Sequence, residues 1–207
     1  MDYAPFSRHS NRSVIHLTTV SRPTRSDAAR NREQLLAVAT RVLASAESEP
    51  SMRAIAREAG VGIGTLYRHY PTREALVEAV YRDQVARLTS GAEDLLAHEA
   101  PAVALRRWMD LFGEWIATKN GMLATLLSMV ESGDLAHART RDELLAAISA
   151  ILDAGVAAGD LRSDVTAEEV SAGLIGIFAV AHQPGHTVSA DRLLDILLDG
   201  LRPQPRA

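Results

Sequence analysis

The stretch "REAGVGIGTLYRHYPTREALV", Arg57 to Val77, sets glycines at positions 60, 62 and 64. Two tyrosines then flank an arginine and a histidine, and Pro71 follows. Two of the chain's nine aromatic rings fall inside five residues. Glycines of this density raise the question of a phosphate-cradling cofactor loop. A dinucleotide fingerprint needs an apolar strand before its glycines and the spacing G-x-G-x-x-G. Here the glycines follow "MRAIAREA", a helical segment with Arg53, Arg57 and Glu58 on its polar side, and they recur at every second position. A phosphate loop ending in Gly-Lys-Ser/Thr is excluded as well, because the only lysine is Lys119. No cofactor is implied.

A helix-turn-helix accounts for the same residues. Two short helices crossing steeply need a small residue at the contact, a turn residue free to adopt positive φ, and an apolar anchor on the second helix. Ala56, Gly60 and Leu66 supply these, and Ile55, Ala59 and Val61 fill the interior. With Leu66 inward, Thr65, Tyr67, Arg68 and His69 have directions toward solvent or into a groove. Gly64 lets the backbone approach a DNA strand closely. This is how a recognition helix enters the major groove.

The flanks agree. Leu35, Leu36, Ala39, Val42 and Leu43 share a helical face before the break at residues 47–50. Ser51 can cap the next helix, from Met52 to about Ala59. Pro71 stops the third, and Thr72 caps a long fourth carrying Leu76, Val77, Val80, Tyr81, Val85 and Leu88. From "AIAREAGVGIGTLYRHYPTREALV" and this helix order, over Leu35–Tyr81, the chain resembles the TetR family of transcriptional regulators. "AGDLRSDVTAEEV", Ala158–Val170, is also similar to a loop of many such proteins. Gly62 stands where the family often has a capping Ser or Thr, and Arg73 where Lys is common.

The resemblance implies that Thr65 and Arg68 touch base edges and that Tyr67 and His69 touch the phosphate backbone. Ser51 and Arg53 would bind phosphate through free N–H groups and charge at the second helix, and Arg73 would clamp another. Chemistry supports Arg68 independently, since arginine reads guanine bidentately; a merely solvated arginine is the plain alternative. For His69 the alternative is a neutral ring packed on Tyr70. Tyr70 and Tyr81 read as core. The charge distribution is consistent: residues 1–90 hold 13 arginines against nine acids, and residues 91–207 hold nine basic against 17 acidic side chains. Duplex binding predicts a steep salt dependence, and a homodimer spacing two recognition helices ~34–36 Å apart implies a palindromic operator.

The remainder also has helical period, so the fold class is all-α with about nine helices: a flexible tail (1–24), a helix-turn-helix domain (25–71) and a helical effector-binding and dimerisation domain (72–207). Pro101 opens a helix whose face carries Leu105, Trp108, Met109, Phe112, Trp115 and Ile116, and Lys119-Asn120-Gly121 stops it. A short helix spans about Met122–Val130. Another carries Leu144, Leu145, Ile148, Ile151 and Leu152 and ends by Gly159. Thr166 to Glu169 form a capping box, and Leu193, Leu194, Leu197, Leu198 and Leu201 mark the last helix. As residues alone, Trp108, Met109, Phe112, Trp115, Met122, Leu126, Met129 and Phe178 read as core. The resemblance implies instead a pocket for a small-molecule effector, with Glu114, His137 and His182 as possible polar contacts. It likewise implies a homodimer through the last two helices, where Gly173 allows close approach, as does Gly176, and Leu174, Ile177, Leu194, Leu197 and Leu198 supply apolar area.

Other classes fit less well. There is no cysteine, so no disulfide or thiolate metal site, and no Gly-x-Ser-x-Gly or His-Glu-x-x-His. His182 and His186 have a ligand spacing, but Pro184 and Gly185 break the helix that would align them, so no metal is expected. An enzyme is not the reading. A helical adaptor whose helix-turn-helix binds protein is the alternative. No apolar run reaches the ~18 residues of a membrane span, and no secretory signal is visible, which predicts a cytoplasmic protein. The expected activity is that of a repressor released from its operator by an effector.

Overall fold

The computed structural model describes residues 25–46, 48–133, 137–181 and 187–203, without the side chains of 25–30 and 137–138. The expected tail, His182 and His186 lie outside the described residues, as does the side chain of His137.

Among the described residues there are nine α-helices and no strand: α1 Arg25–Ala44, α2 Met52–Glu58, α3 Ile63–His69, α4 Arg73–His98, α5 Pro101–Asn120, α6 Leu123–Glu131, α7 His137–Ala158, α8 Ala167–Ala181 and α9 Ala190–Leu201. The ends have local causes. Ser51 accepts a hydrogen bond from Ala54 N at 3.2 Å, and Thr72 accepts from Ala75 N at 3.1 Å, each satisfying a donor that the first turn leaves free. Thr166 and Glu169 close the expected capping box, at 2.8 Å from Thr166 N to the carboxylate and 3.3 Å from Glu169 N to the hydroxyl. Pro101 stands in the first turn of α5, where its missing N–H is harmless.

The stop after α5 works differently from the expectation. Gly121 has φ −70, an ordinary helical value. Its need for glycine is steric, because a Cβ there would lie 1.8 Å from the carbonyl oxygen of Leu43. The C-terminal ends of α1 and α5 therefore meet backbone to backbone. This contact seats the first three helices on the body, and one buried apolar cluster runs from Leu35 in α1 to Leu201 in α9.

The long α4 packs on α5 and α7, and α8 packs on α7 and α9. Trp108 of α5 donates from Nε1 to Leu88 O of α4 at 2.8 Å, so a fully buried indole has its acceptor. Arg106 of α5 reaches Asp195 of α9 at 2.9 Å and also pairs with Asp110. The Arg162 N–H donates to Leu201 O at 2.9 Å, holding the α7–α8 loop against the end of α9. No described helix is long and apolar enough to cross a membrane.

Candidate nucleic-acid interface and effector chambers

The helix-turn-helix is built by burial of one side of two seven-residue helices. Leu66 is wholly buried, with Ile55 and Ala56 beneath it, and Ala59 and Val61 pack against the same cluster. Gly60 has φ +67, the left-handed value that an L side chain adopts only at a cost. Val61 N donates to Ala56 O at 3.0 Å across the turn. Gly60 thus makes the turn, and Ala56 and Leu66 are both buried.

Consequently α3 presents its other side. Tyr67 is 46% exposed, Arg68 and Gly64 are exposed, and Thr65 and His69 are half-buried. Arg68 Nη2 donates to Thr65 Oγ1 at 2.9 Å, so the two expected base-reading residues stand together. Apart from their chain neighbours and the backbone of their own helix, no atom of the described residues lies within 4 Å of where a Cβ on Gly64 or Gly62 would sit. Gly62 caps α3 without a side-chain hydrogen bond, as its residue type requires. Ser51 and Arg53 are exposed at the start of α2, on the same small domain. Tyr70 is core, with the Arg32 guanidinium 5.7 Å from its ring centre.

Arg73 is placed otherwise than expected. Its Nε donates to Thr125 Oγ1 at 2.9 Å, its Nη1 to Pro50 O at 2.6 Å, and its Nη2 lies 3.1 Å from Glu49 Oε2. Glu49 accepts in turn from Thr125 N at 2.9 Å. The guanidinium is spent on a latch joining the α1–α2 loop, α4 and α6, and a phosphate would have to displace Glu49 to use it. Neither Glu49 nor Thr125 belongs to the DNA-reading motif, so the sequence carried no signal for the latch.

The expected effector-lining residues fall into two groups. Trp108, Met109, Met122, Leu126, Met129 and Phe178 are buried and line none of the prominent cavities; they are packed core, the reading their residue types alone supported. Phe112 and Trp115 do line a chamber of about 160 Å³, with Tyr81, Lys119, Thr140 and Arg141 among its other walls. A larger groove of about 410 Å³ lies between α4 and α7, lined by Tyr81, Val85, Thr89, Thr140 and Glu143 among others. Tyr81 and Thr140 belong to both. Burial raises the Tyr81 phenol above its ordinary pKa, against the effect of a hydrogen bond from Thr140. Glu114 is exposed and lines neither space. Sequence reasoning missed Lys119, although its i, i+4 step from Trp115 puts it on the aromatic face of α5.

The apolar area of α8 and α9 is also redistributed. Leu174, Leu194 and Leu198 are buried within their own chain, and a Cβ on Gly173 would touch Leu197 at 3.5 Å, an intrachain contact. Ile177 and Leu197 are partly buried against the core. The exposed apolar residues are Ile175 at 55% and Ile196 at 53%, and Gly176 faces open space. The described residues contain no cluster of three or more ligating side chains for a metal.

Residues 35–80 match the family model of bacterial regulatory proteins of the tetR family. Residues 100–203 match a second model, described as transcriptional regulator SbtR-like, C-terminal domain. The TetR transcriptional regulator SCO0520 of Streptomyces coelicolor is 44% identical with a TM-score of 0.73, covering 84% of this chain and 99% of that one. A TetR transcription regulatory protein of Mycobacterium vanbaalenii is 35% identical with a TM-score of 0.67, covering 86% and 99%. The HTH-type transcriptional regulator SAR0097 of Staphylococcus aureus is 33% identical over 99 residues, 44% of this chain and 52% of that protein. The chain thus spans about half the length of this curated relative. The protein belongs to the TetR family of transcriptional regulators and carries that family's DNA-binding helix-turn-helix.

Proposed function

We propose that the protein is an effector-responsive repressor that binds a palindromic operator as a homodimer and is released by a small molecule. The observation that carries this reading is the division of α3, with Leu66 wholly buried and Tyr67 and Arg68 exposed beside Thr65. Thr65 and Arg68 would read base edges, Tyr67 and His69 would hold phosphates, and Ser51 and Arg53 would hold another at the start of α2. Residues 25–71 would act as the reading head, and residues 72–207 as the effector and dimer body. The exposed Ile175, Gly176 and Ile196 favour α8 and α9 as the surface that pairs two copies.

The transmission route follows from α4. This 26-residue helix begins at the latch residue Arg73 and carries Tyr81 and Val85 into the groove beside α7. A ligand preferring one setting of Tyr81 would tilt α4, move the head through Arg73 and Glu49, and change the spacing of two recognition helices. A coupling of ~1–3 kcal/mol shifts operator affinity by roughly five- to 150-fold. The test is to select bound duplexes from a random pool and measure their affinity across a salt series. The expected result is a palindromic site whose affinity falls by powers of ten as salt rises. Selection of no duplex at low salt would refute the proposal and favour a protein-binding adaptor.

A further inference from the structure

We propose that the chamber walled by α5, α7 and α8 takes a small aryl carboxylic acid. Its carboxylate would lie among Lys119, Arg141 and the indole N–H of Trp115, and its ring against Phe112 and Leu144. This rests on the effector-responsive reading above and names the ligand class of that response.

The charged residues lining the chamber are Lys119 and Arg141, both cationic, with no carboxylate among them. From Arg73 onward, eight arginines of the described residues hold a carboxylate partner. Lys119 and Arg141 hold none among the described residues; the other such cation, Arg192, is exposed on α9. Lys119 and the exposed Arg141, neither with a carboxylate partner, thus line one cavity on a body where eight arginines hold one. Burial pushes the Lys119 ammonium below its ordinary pKa, the response of a charge lacking a counter-ion.

Trp115 also supplies an orphan donor. Trp115 is 6% exposed, and its Nε1 is buried with no acceptor among the described residues. The other indole, Trp108, has Leu88 O. Buried N–H groups are nearly always satisfied, so the unpaired indole N–H of a residue that lines the chamber suits a ligand acceptor. Lys119 Nζ lies over the face of the Trp115 ring, 5.2 Å from its centre, so the ammonium and the indole belong to one wall. The Thr140 and Ser171 hydroxyls complete the polar wall.

Drug-sized ligands occupy ~300–1,000 Å³, so a chamber of about 160 Å³ admits little more than one ring with a short acid arm. Phe112 and Trp115, ring centres 5.2 Å apart, with Tyr81 6.3 Å from Trp115, form tilted aromatic walls that suit an aryl body. Because Tyr81 belongs to α4, occupancy here bears directly on the helix that leads to the reading head.

The experiment uses the full chain with benzoate and phenylacetate, against the neutral benzamide and phenylacetamide. Lys119 is the only lysine, so reductive methylation with ¹³C gives a single dimethyl-lysine side-chain signal. The acids are expected to shift that signal and to bind at least tenfold more tightly than the amides by calorimetry. Lys119→Met should erase the preference for acids, and Lys119→Arg should keep it. Equal binding of acids and amides, no acid binding at millimolar concentration, or an undiminished preference in Lys119→Met would each overturn the inference. Operator binding by the acid-free protein is measured separately. A protein that binds its operator but ignores the acids loses this site and keeps the regulator reading; one that binds acids but no duplex does the reverse.

Discussion

The glycines of the reading head and three of those in the body do opposite things. A Cβ added at Gly60, Gly62 or Gly64 would meet nothing within 4 Å, whereas one at Gly113, Gly121 or Gly155 would come within 3 Å of Phe178, Leu43 or Leu161. At Gly113, Gly121 and Gly155 two parts of the same chain touch. Those of the head are open, so apart from the turn at Gly60 their smallness is of use only to something that arrives from outside. The arginines divide in the same way. Arg53, Arg57 and Arg68 are exposed with no carboxylate partner among the described residues, while Arg106 binds three aspartates. Empty space and unpaired charge around α3 mark a surface kept for a polyanion; filled space and paired charge mark a scaffold.

The sharpest way to break this contrast is Gly121→Ala. Its new methyl would overlap a backbone carbonyl that no rotamer change can move, so a loss of about 3 kcal/mol or more is expected in thermal or denaturant unfolding. A shift of a few tenths would show that the α1–α5 contact is loose. Next comes Arg68→Ala, which should leave the melting temperature unaltered and lower operator affinity by about 1–3 kcal/mol, read by fluorescence anisotropy. If Arg68 is only a solvated arginine, binding will not change.

Arg73→Ala tests the one expected phosphate contact that the structure uses internally. Removing it leaves Glu49 and Thr125 without their common partner, and a stability loss of about 1–2 kcal/mol is expected in urea unfolding. A phosphate clamp would instead show intact stability and a smaller salt slope of operator binding. Gly64→Ala separates the two kinds of glycine. Helix propensity should raise stability by up to about 1 kcal/mol, while the added methyl weakens duplex binding. Gains in both would mean that DNA does not approach the backbone there. Smallest is Gly62→Ser, where φ −66 and open space accommodate a capping hydroxyl and a gain of a few tenths of a kcal/mol is expected.

Much of this was legible in the residues. Helix ends are short-range events, so Ser51, Thr72, Pro101 and the Thr166–Glu169 box could be read from a few consecutive positions, and each caps or opens its helix as expected. The helix-turn-helix was legible for the same reason: Ala56, Gly60 and Leu66 lie within eleven residues and have few ways to pack. Gly121 is instructive in the opposite sense. Its place as a stop was correct, yet its cause is Leu43, 78 positions earlier in the chain. The effector lining and the pairing surface were less legible because helical period marks an apolar face without saying what covers it. Leu174, Leu194 and Leu198 turn inward, and Ile175 and Ile196 are left outside.

The order of letters alone determined the all-helical class, the position of the turn at Gly60 and the outward set of Thr65, Tyr67 and Arg68, because backbone sterics and one buried leucine act over a single helical turn. Only the folded arrangement decided that Arg73 latches onto Glu49 and Thr125, that six of the eight expected pocket residues are buried away from the chamber lined by Phe112 and Trp115, and that Lys119 and Arg141 line that chamber. Those pairings join residues far apart in sequence, and which partners meet depends on how whole helices cross, a choice made by the summed packing of the core.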